Sequence, residues 1–410
     1  MRVGIEAINA YGGRACLDVR MLFQARGLDL GRFDNLMMES KAVAMPFEDP
    51  VTHAVNAAKP LLDALSAEER ARIELVVTAS ESGLDFGKSL ACYVHAHLGL
   101  SRNCRLFETK QACYAGTAAL QMAVAWVAAQ VSPGAKALVI ATDVAGASAR
   151  NTYAEPAQGS GAVAMLVSAK PDILAIDLGA SGCYSFEVMD TCRPEINMET
   201  GDPDLSLMSY LDCLEHSFLD YTVKVEGADF QDTFAYLAFH TPFAGMVSGA
   251  HRMMMRKQRK GGPEQIKADF ARRLAPSLHY GARVGNVYSG SLYLALCSLV
   301  DHADLGQPQR VGLFSYGSGC SSEFFSGVIG PEAQPALRRM GIGAALAGRH
   351  QLGMDEFEQV LDACDRWGFG VRQQTVERGP FERIYEEQFA RRGLLVLTGV
   401  DNYHREYAWS

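Results

Sequence analysis

Residues 73–79, Ile-Glu-Leu-Val-Val-Thr-Ala, form a continuous apolar, β-branched run. A strand of this kind is buried on both faces of a sheet, so helices must cover it above and below. The surrounding chain offers such cover. Strands are expected at 3–10, 104–109, 137–141 and 162–168, and helices at 18–27, 32–39, 51–65 and from about 84 to 98. The second half repeats the plan loosely: strands at 172–179, 233–239 and 310–315, helices at 204–225, 249–259 and 263–274, and an apolar helix within 286–300. Strands and helices in alternation predict an α/β layered fold. At 410 residues the chain exceeds one simple core, so two domains or two fused halves are expected. A late strand meets a glycine turn in each half, 159–161 before 162–168 and 317–319 after 310–315, which points to internal duplication.

The stretch 110–131 carries the first chemical signal. A lone cysteine, Cys113, is followed by Ala115, Gly116, Thr117, Ala118 and Ala119, and then by Leu120, Val124, Val127 and Val131 at helical spacing, with Met122 and Trp126 beside them. The helix is expected to be buried on most sides, and a cysteine at its N-terminus faces the positive end of the dipole, which favours thiolate. An isolated cysteine is more commonly a core residue, so other positions must decide. Composition narrows the choice. A net charge of −9 argues against nucleic acid and anionic membranes as partners. The other nine cysteines are scattered without a zinc-type spacing, so no metal site is expected and a reduced, cytoplasmic protein is. The start, Met-Arg-Val-Gly-Ile-Glu, reads as a strand and not a signal peptide, and the longest apolar runs fall short of a membrane span.

Four corners carry polar residues that a core does not want: Glu81 directly after the strand 73–79, Cys113, His240 in Phe239-His240-Thr241-Pro242-Phe243, and Asn286 in Gly285-Asn286-Val287-Tyr288. Singly, each has an ordinary explanation as a helix-start, turn or capping residue. Together, a carboxylate, a thiol, an imidazole and a carboxamide at the ends of strands form an acyl-transfer set.

These pieces resemble the hydroxymethylglutaryl-CoA synthases of the thiolase superfamily. The resemblance runs through Ala112-Cys113-Tyr114-Ala115-Gly116-Thr117, the His240 and Asn286 stretches, and Phe314-Ser315-Tyr316-Gly317-Ser318-Gly319, and it covers nearly the whole chain. More narrowly, 46–51, 81–89, 110–114, 189–194 and the tail 403–407 are similar to the bacterial subgroup that acts in polyketide β-branching. The resemblance implies a five-layered αβαβα thiolase fold from two similar halves, 1–170 with Cys113 and Glu81 and 171–410 with His240 and Asn286, usually as a homodimer. It implies Cys113 as acyl acceptor, Glu81 as the base that takes a proton from the acetyl methyl, and His240 with Asn286 as holders of the second substrate's oxygen. Backbone N–H groups near Cys113 and in Ser315, Tyr316, Gly317 and Ser318 would line the substrate and the enolate. No permanently bound cofactor is implied, only the phosphopantetheine arm of an acyl carrier protein, or coenzyme A.

One departure bears on the substrate. Coenzyme-A-using members typically carry a lysine shortly after the His-x-Pro motif, whereas here the chain reads His240-Thr-Pro-Phe-Ala244-Gly245-Met246. That suits donor and acceptor acyl carrier proteins, with Arg32 and the run 252–260 (Arg252, Arg256, Lys257, Arg259, Lys260) as basic docking elements. The connection 143–152 is short and lacks apolar anchors where polyketide-type relatives have a longer loop, so residues are expected to be missing within 144–150. The alternatives are a metabolic synthase using acetyl-CoA and acetoacetyl-CoA, and a non-catalytic thiolase-fold scaffold.

Overall fold

The computed structural model describes residues 2–195, 198–258, 261–364 and 369–410. Nine strands make one sheet: β1 (Gly4–Tyr11), β2 (Ile73–Ala79), β3 (Arg105–Thr109), β4 (Lys136–Val144), β5 (Ser160–Ser168), β6 (Leu174–Ser185), β7 (Tyr236–Phe239), β8 (Gln309–Gly317) and β9 (Ser321–Ile329), in the order β7-β8-β9-β6-β1-β5-β4-β2-β3. The two arms that meet at β1 and β6 have one plan. From β1 outward the pairings run antiparallel to β5, antiparallel to β4, then parallel to β2. From β6 they run antiparallel to β9, antiparallel to β8, then parallel to β7. The first arm alone adds β3, parallel to β2. In this plan β5 answers to β9 and β8 to β4, so the two glycine turns flank strands at different places in their arms.

Seven helices cover these arms: α1 (Pro50–Asp63), α2 (Leu90–His97), α3 (Ala115–Ala128), α4 (Pro203–Lys224), α5 (Ala244–Gln258), α6 (Pro263–Arg273) and α7 (Ser291–His302). Strand geometry sends alternate side chains to opposite faces, and the core divides accordingly. Leu75, Val77, Val139 and Ala141 from one arm and Val311 and Leu313 from the other share a core with α3 and α7. Val76, Leu138 and Ile140 turn the other way, onto α1 and α2. Leu237, Phe239 and Phe314 turn onto α4 and α5. The two arms, joined where Gly4 and Ile5 pair with Ala175 and Leu174, form two sheet layers, and the order is helix, sheet, helix, sheet, helix with α3 and α7 in the middle. Leu120, Val124 and Val127 of α3 are buried, but Met122 is half exposed and Val131 lies beyond the helix end, so the buried face is narrower than expected.

A smaller cluster joins Ala15, Leu17, Val43 and Phe47 to the helix Met354–Cys364 and the strand Leu395–Asp401. Here Asp49 caps α1 through Thr52 and also accepts hydrogen bonds from Arg405 (3.3 Å) and Tyr407 (2.7 Å), so the stretches 46–51 and 403–407 meet in space. The connection after β4 is held at Ala149, which is buried, and at Arg150, which pairs with Glu358 and Asp362. Among the described residues no helix is long and apolar enough to cross a membrane. None of their His, Cys, Asp and Glu side chains cluster in threes that could hold a metal ion.

Candidate active site

The corners lie at one end of the sheet. Glu81 follows β2, Asp143 ends β4, His240 follows β7, and the 315–317 segment ends β8. Cys113 lies between β3 and α3. Close backbone contacts bring them together. A Cβ on Gly116 would sit 2.2 Å from the Ser289 carbonyl, and one on Gly317 would sit 2.5 Å from both the Gln111 carbonyl and the Tyr114 nitrogen. Neither position can take a side chain, and the 286–289 and 317–319 turns are thereby pressed onto the loop that carries Cys113. Two residues beside the key corners, Ala112 (φ 44°) and Tyr288 (φ 47°), sit in the left-handed region. Strain of this sort costs about 1–3 kcal/mol per residue and is held only where surrounding packing enforces it.

The Cys113 thiol donates a hydrogen bond to Glu81 Oε1 at 3.3 Å. Burial, then the Glu81 charge, push the thiol well above its usual range. The resting form is thus a thiol with a base attached, not the thiolate expected from the helix terminus. Burial raises the Glu81 carboxyl to about 7, with Arg193 opposing and Asp143 adding to the rise. Asp143 organises this corner. Its Oδ1 accepts from Ser80 Oγ (3.1 Å), Glu81 N (2.8 Å), Ser82 N (3.1 Å) and Ser82 Oγ (3.0 Å). Its Oδ2 accepts from the Ser289 N–H (3.1 Å) and hydroxyl, which ties the Glu81 turn to the Asn286 turn. A cleft of about 1300 Å³ opens onto Glu81 and Arg193 between the 82–89 segment and the 144–148 turn.

The opposite side is uncharged. The His240 backbone N–H donates to the Phe314 carbonyl (2.7 Å), and its backbone carbonyl accepts from the Tyr210 hydroxyl (2.8 Å). Burial lowers the imidazole to about 3, so it is neutral throughout the physiological range, and its Nδ1 has no partner among the described residues. The Asn286 Oδ1 accepts from the Tyr288 N–H (2.9 Å) and the Ser291 hydroxyl (2.7 Å), which fixes the carboxamide and leaves its Nδ2 hydrogens available. A neutral imidazole and an oriented amide can polarise a carbonyl without competing for the proton that Cys113 and Glu81 share.

Not every candidate faces this space. Ser315 is buried, and its hydroxyl accepts from Thr117 (2.7 Å), inside the core. The Tyr316 hydroxyl donates to Asp190 (2.5 Å), whose other oxygen accepts from the Gly319 N–H (2.9 Å). Those two hydroxyls hold up the turn; the part of the segment that lies against the 111–114 loop is the backbone at Gly317. Sequence reading missed Asp143, Asp190, Arg193 and Glu199. A carboxylate closing an apolar strand, the feature that singled out Glu81, was equally available for Asp143. Of the basic elements, Arg32 is exposed, lies 3.8 Å from Asp29, and stands over the Tyr153 ring at 5.7 Å. Arg252 and Arg256 are exposed without an ion pair among the described residues, Lys257 pairs with Glu215, and Arg259 and Lys260 lie outside the described residues.

Known proteins are similar to this chain in sequence and fold. Residues 1–172 match the N-terminal part of hydroxymethylglutaryl-coenzyme A synthase, and residues 251–409 match its C-terminal part. The chain is 52% identical over 417 residues to the polyketide biosynthesis 3-hydroxy-3-methylglutaryl-ACP synthase PksG of Bacillus subtilis, covering 99% of both chains. It is 36% identical over 369 residues to the hydroxymethylglutaryl-CoA synthase of Enterococcus faecalis, covering 88% of this chain and 92% of that one. The HMG synthase of the curacin biosynthetic pathway, solved in complex with acetyl donor-ACP, superposes with a TM-score of 0.97 at 52% identity over 100% of both chains. Both ends of the sequence and its whole length lead to the same place: the chain belongs to the hydroxymethylglutaryl-CoA synthase family.

Proposed function

We propose that the protein is a carrier-protein-dependent HMG synthase of polyketide β-branching. Acetyl arrives as a thioester on the phosphopantetheine arm of a donor acyl carrier protein. Glu81 takes the Cys113 proton as sulfur attacks the thioester carbonyl, and returns it to the departing pantetheine thiolate. Free again, Glu81 removes a proton from the acetyl methyl, and the electron pair passes to the thioester oxygen, held by backbone N–H groups near Cys113 and Gly317. The enolate carbon adds to the β-ketone of a β-ketoacyl group on an acceptor carrier protein. His240 and Asn286 hold that substrate's oxygen, Glu81 gives the new alkoxide its proton, and water releases the product from Cys113.

The observation that carries the carrier-protein reading is the first turn of α5. Ala244 and Met246 are buried, and a Cβ on Gly245 would lie 1.6 Å from the Asn35 carbonyl. No cation can stand there to meet coenzyme A phosphates. The same contact seats the segment after Arg32 against the helix that carries Arg252, about 10 Å further along, and Arg256, about 16 Å further along. Together they supply a basic strip for an acidic carrier protein, and the identity to PksG and the curacin synthase supports the same partner. We place the boundary between the halves at 170/171 and read the protein as a cytoplasmic homodimer; the free sheet edge at β3 and the exposed Met122 support pairing with a second copy.

Intact-protein mass spectrometry tests the proposal. Acetyl carrier protein should load an acetyl group much faster than acetyl-CoA does, and Cys113→Ala should abolish the adduct. Equal, salt-independent loading from both donors would favour the metabolic alternative. An adduct of unchanged yield on Cys113→Ala would remove Cys113 from its role, and no adduct on the parent would favour the scaffold.

A further inference from the structure

Arg193 lies in the hairpin Thr191–Glu195 and Met198–Gly201, a part of the molecule to which the steps above give no task. The hairpin is anchored at its base by Asp190, fully buried and bonded to Tyr316 and Gly319. From there Arg193 reaches the catalytic corner. Its Nε lies 3.8 Å from Glu81 Oε2, and its Nη1 points at the Glu81 backbone carbonyl at 3.4 Å. On the other side Nη2 donates to Glu199 Oε2 at 3.2 Å, the guanidinium stands 4.7 Å from the centre of the Tyr288 ring, and the Tyr288 hydroxyl reaches the same Glu199 oxygen at 3.5 Å. The Glu81 carboxylate thus has the Cys113 thiol on one oxygen and a guanidinium beside the other.

The charges around Glu81 are unequal. Asp143 faces it from β4, the Cys113 thiol from the nucleophile loop, and Glu199 and Arg193 from the hairpin, with the Tyr288 phenol behind them. Arg193 is the cation of this set, against two further carboxylates. Its Nε is buried and makes no hydrogen bond. At 3.8 Å it is an ion-pair neighbour of Glu81, one short movement from a bond. That bond is needed at one stage in particular. Once Cys113 carries acetyl, its S–H is gone and Glu81 Oε1 has lost its donor. Among the described residues, a carboxylate that must then act on a weak carbon acid has Arg193 as the cation beside it.

We propose that Arg193 is a positioning residue of the condensation: clamped by Glu199 and Tyr288, it keeps the Glu81 carboxylate charged and oriented after the cysteine has been acetylated. This rests on the reaction proposed above and deepens it. Glu199 has the opposing electrostatic effect, tempering the cation, so the two side chains make predictions of opposite sign.

The test uses the full chain, loaded with acetyl and checked by mass spectrometry before condensation is measured with an acetoacetyl carrier protein across pH. Arg193→Gln should move the acidic limb of the condensation profile upward by roughly one to three pH units, the usual effect of losing a close opposite charge. Arg193→Lys should restore most of that shift, and Glu199→Gln should move the limb downward. Acidic limbs that stay in place while the rate falls equally at all pH would overturn the proposal, as would Glu199→Gln moving the limb upward. If Arg193→Gln does not fold, the Lys and Glu199 variants decide by the same criteria. Absence of acetyl loading in the parent protein would be a failure of the proposed function, and loading is scored separately for that reason.

Discussion

The two arms of the sheet are built on one plan but bring opposite electrostatics to the same end. The first arm contributes Glu81, Cys113 and Asp143, ionisable groups crowded into a buried corner, with burial raising both the thiol and the Glu81 carboxyl. The second contributes His240 and Asn286. Burial there has the opposite result, holding the imidazole neutral with its value lowered to about 3. One desolvating environment thus keeps an acid near its turning point on one side and removes a base from titration on the other. The difference teaches a division of labour. In the proposed reaction protons move on the first arm, and the second offers fixed dipoles that do not compete for them. If this is right, the two corners must respond differently to mutation and to pH.

Replacing Glu81 should have the largest effect among variants that keep the nucleophile. Glu81→Gln should lower condensation by roughly 10²–10⁴, the usual range for loss of a general base, while acetyl loading slows but still completes. Single-turnover measurements of each step separate the two, and condensation at the parent rate would make Glu81 merely structural. The same substitution should change stability with a defined sign. A carboxyl raised to about 7 in the fold contributes stability below its ordinary range and loses it as pH rises through 7. Glu81→Gln should therefore be more stable than the parent at pH 8, by about 3 kcal/mol, and the gain should shrink towards pH 5. Thermal unfolding at the two values checks this.

His240 sharpens the comparison from the other side. His240→Ala should reduce condensation by about 10²–10³, as expected for loss of one oriented donor, and leave loading on Cys113 nearly intact. Because the imidazole is already neutral, the variant should keep the pH profile of the parent between pH 5 and 8. A displaced acidic limb would mean that His240 titrates in the reaction, and the division between the arms would fail.

Much of this was legible in the sequence, for a physical reason. Glu81 and His240 lie within two residues of a strand end, and Cys113 and Asn286 lie in the turns that lead into helices, so local pattern alone marks them as out of place. Arg193 and Glu199 were not legible as site residues: their hairpin has no helical or alternating period, and Arg193 meets Glu81 across 112 positions of sequence. Strand β9, Ser-Ser-Glu-Phe-Phe-Ser-Gly-Val-Ile, escaped for a related reason. It is buried along most of its length, and its serines and Glu323 break any apolar run. The thiolate expectation failed on magnitude. A helix terminus offers about half a charge, and burial together with Glu81 and Asp143 outweighs it.

The docking strip lies outside both corners and should respond more weakly. Charge reversal at Arg252 and Arg256 should slow loading from acetyl carrier protein by about tenfold at low salt, with the difference fading as salt is raised. Loading from acetyl pantetheine, which has no carrier surface, should be unchanged. A uniform loss with both donors would place the damage in the fold of α5 and not in recognition.

The smallest effect is expected where the sequence suggested a substrate contact and the structure provides a support. Ser315 stands one residue from Tyr316 and two from Gly317, yet its hydroxyl lies in the core, accepting from Thr117, which in turn shares a hydrogen bond with Tyr293 (2.8 Å). Ser315→Ala removes an acceptor and leaves the Thr117 hydroxyl with Tyr293 as its remaining partner. The cost should be about 1 kcal/mol of stability, the ordinary value of one such bond. Loading and condensation should both stay within about twofold of the parent, because the backbone at Gly317 is fixed independently by its contact with the Cys113 loop. Denaturant unfolding and single-turnover rates measured on the same preparation decide the matter. A condensation loss of tenfold or more at unchanged stability would put the Ser315 hydroxyl on the substrate, and the uncharged corner of the second arm would then have a third working member.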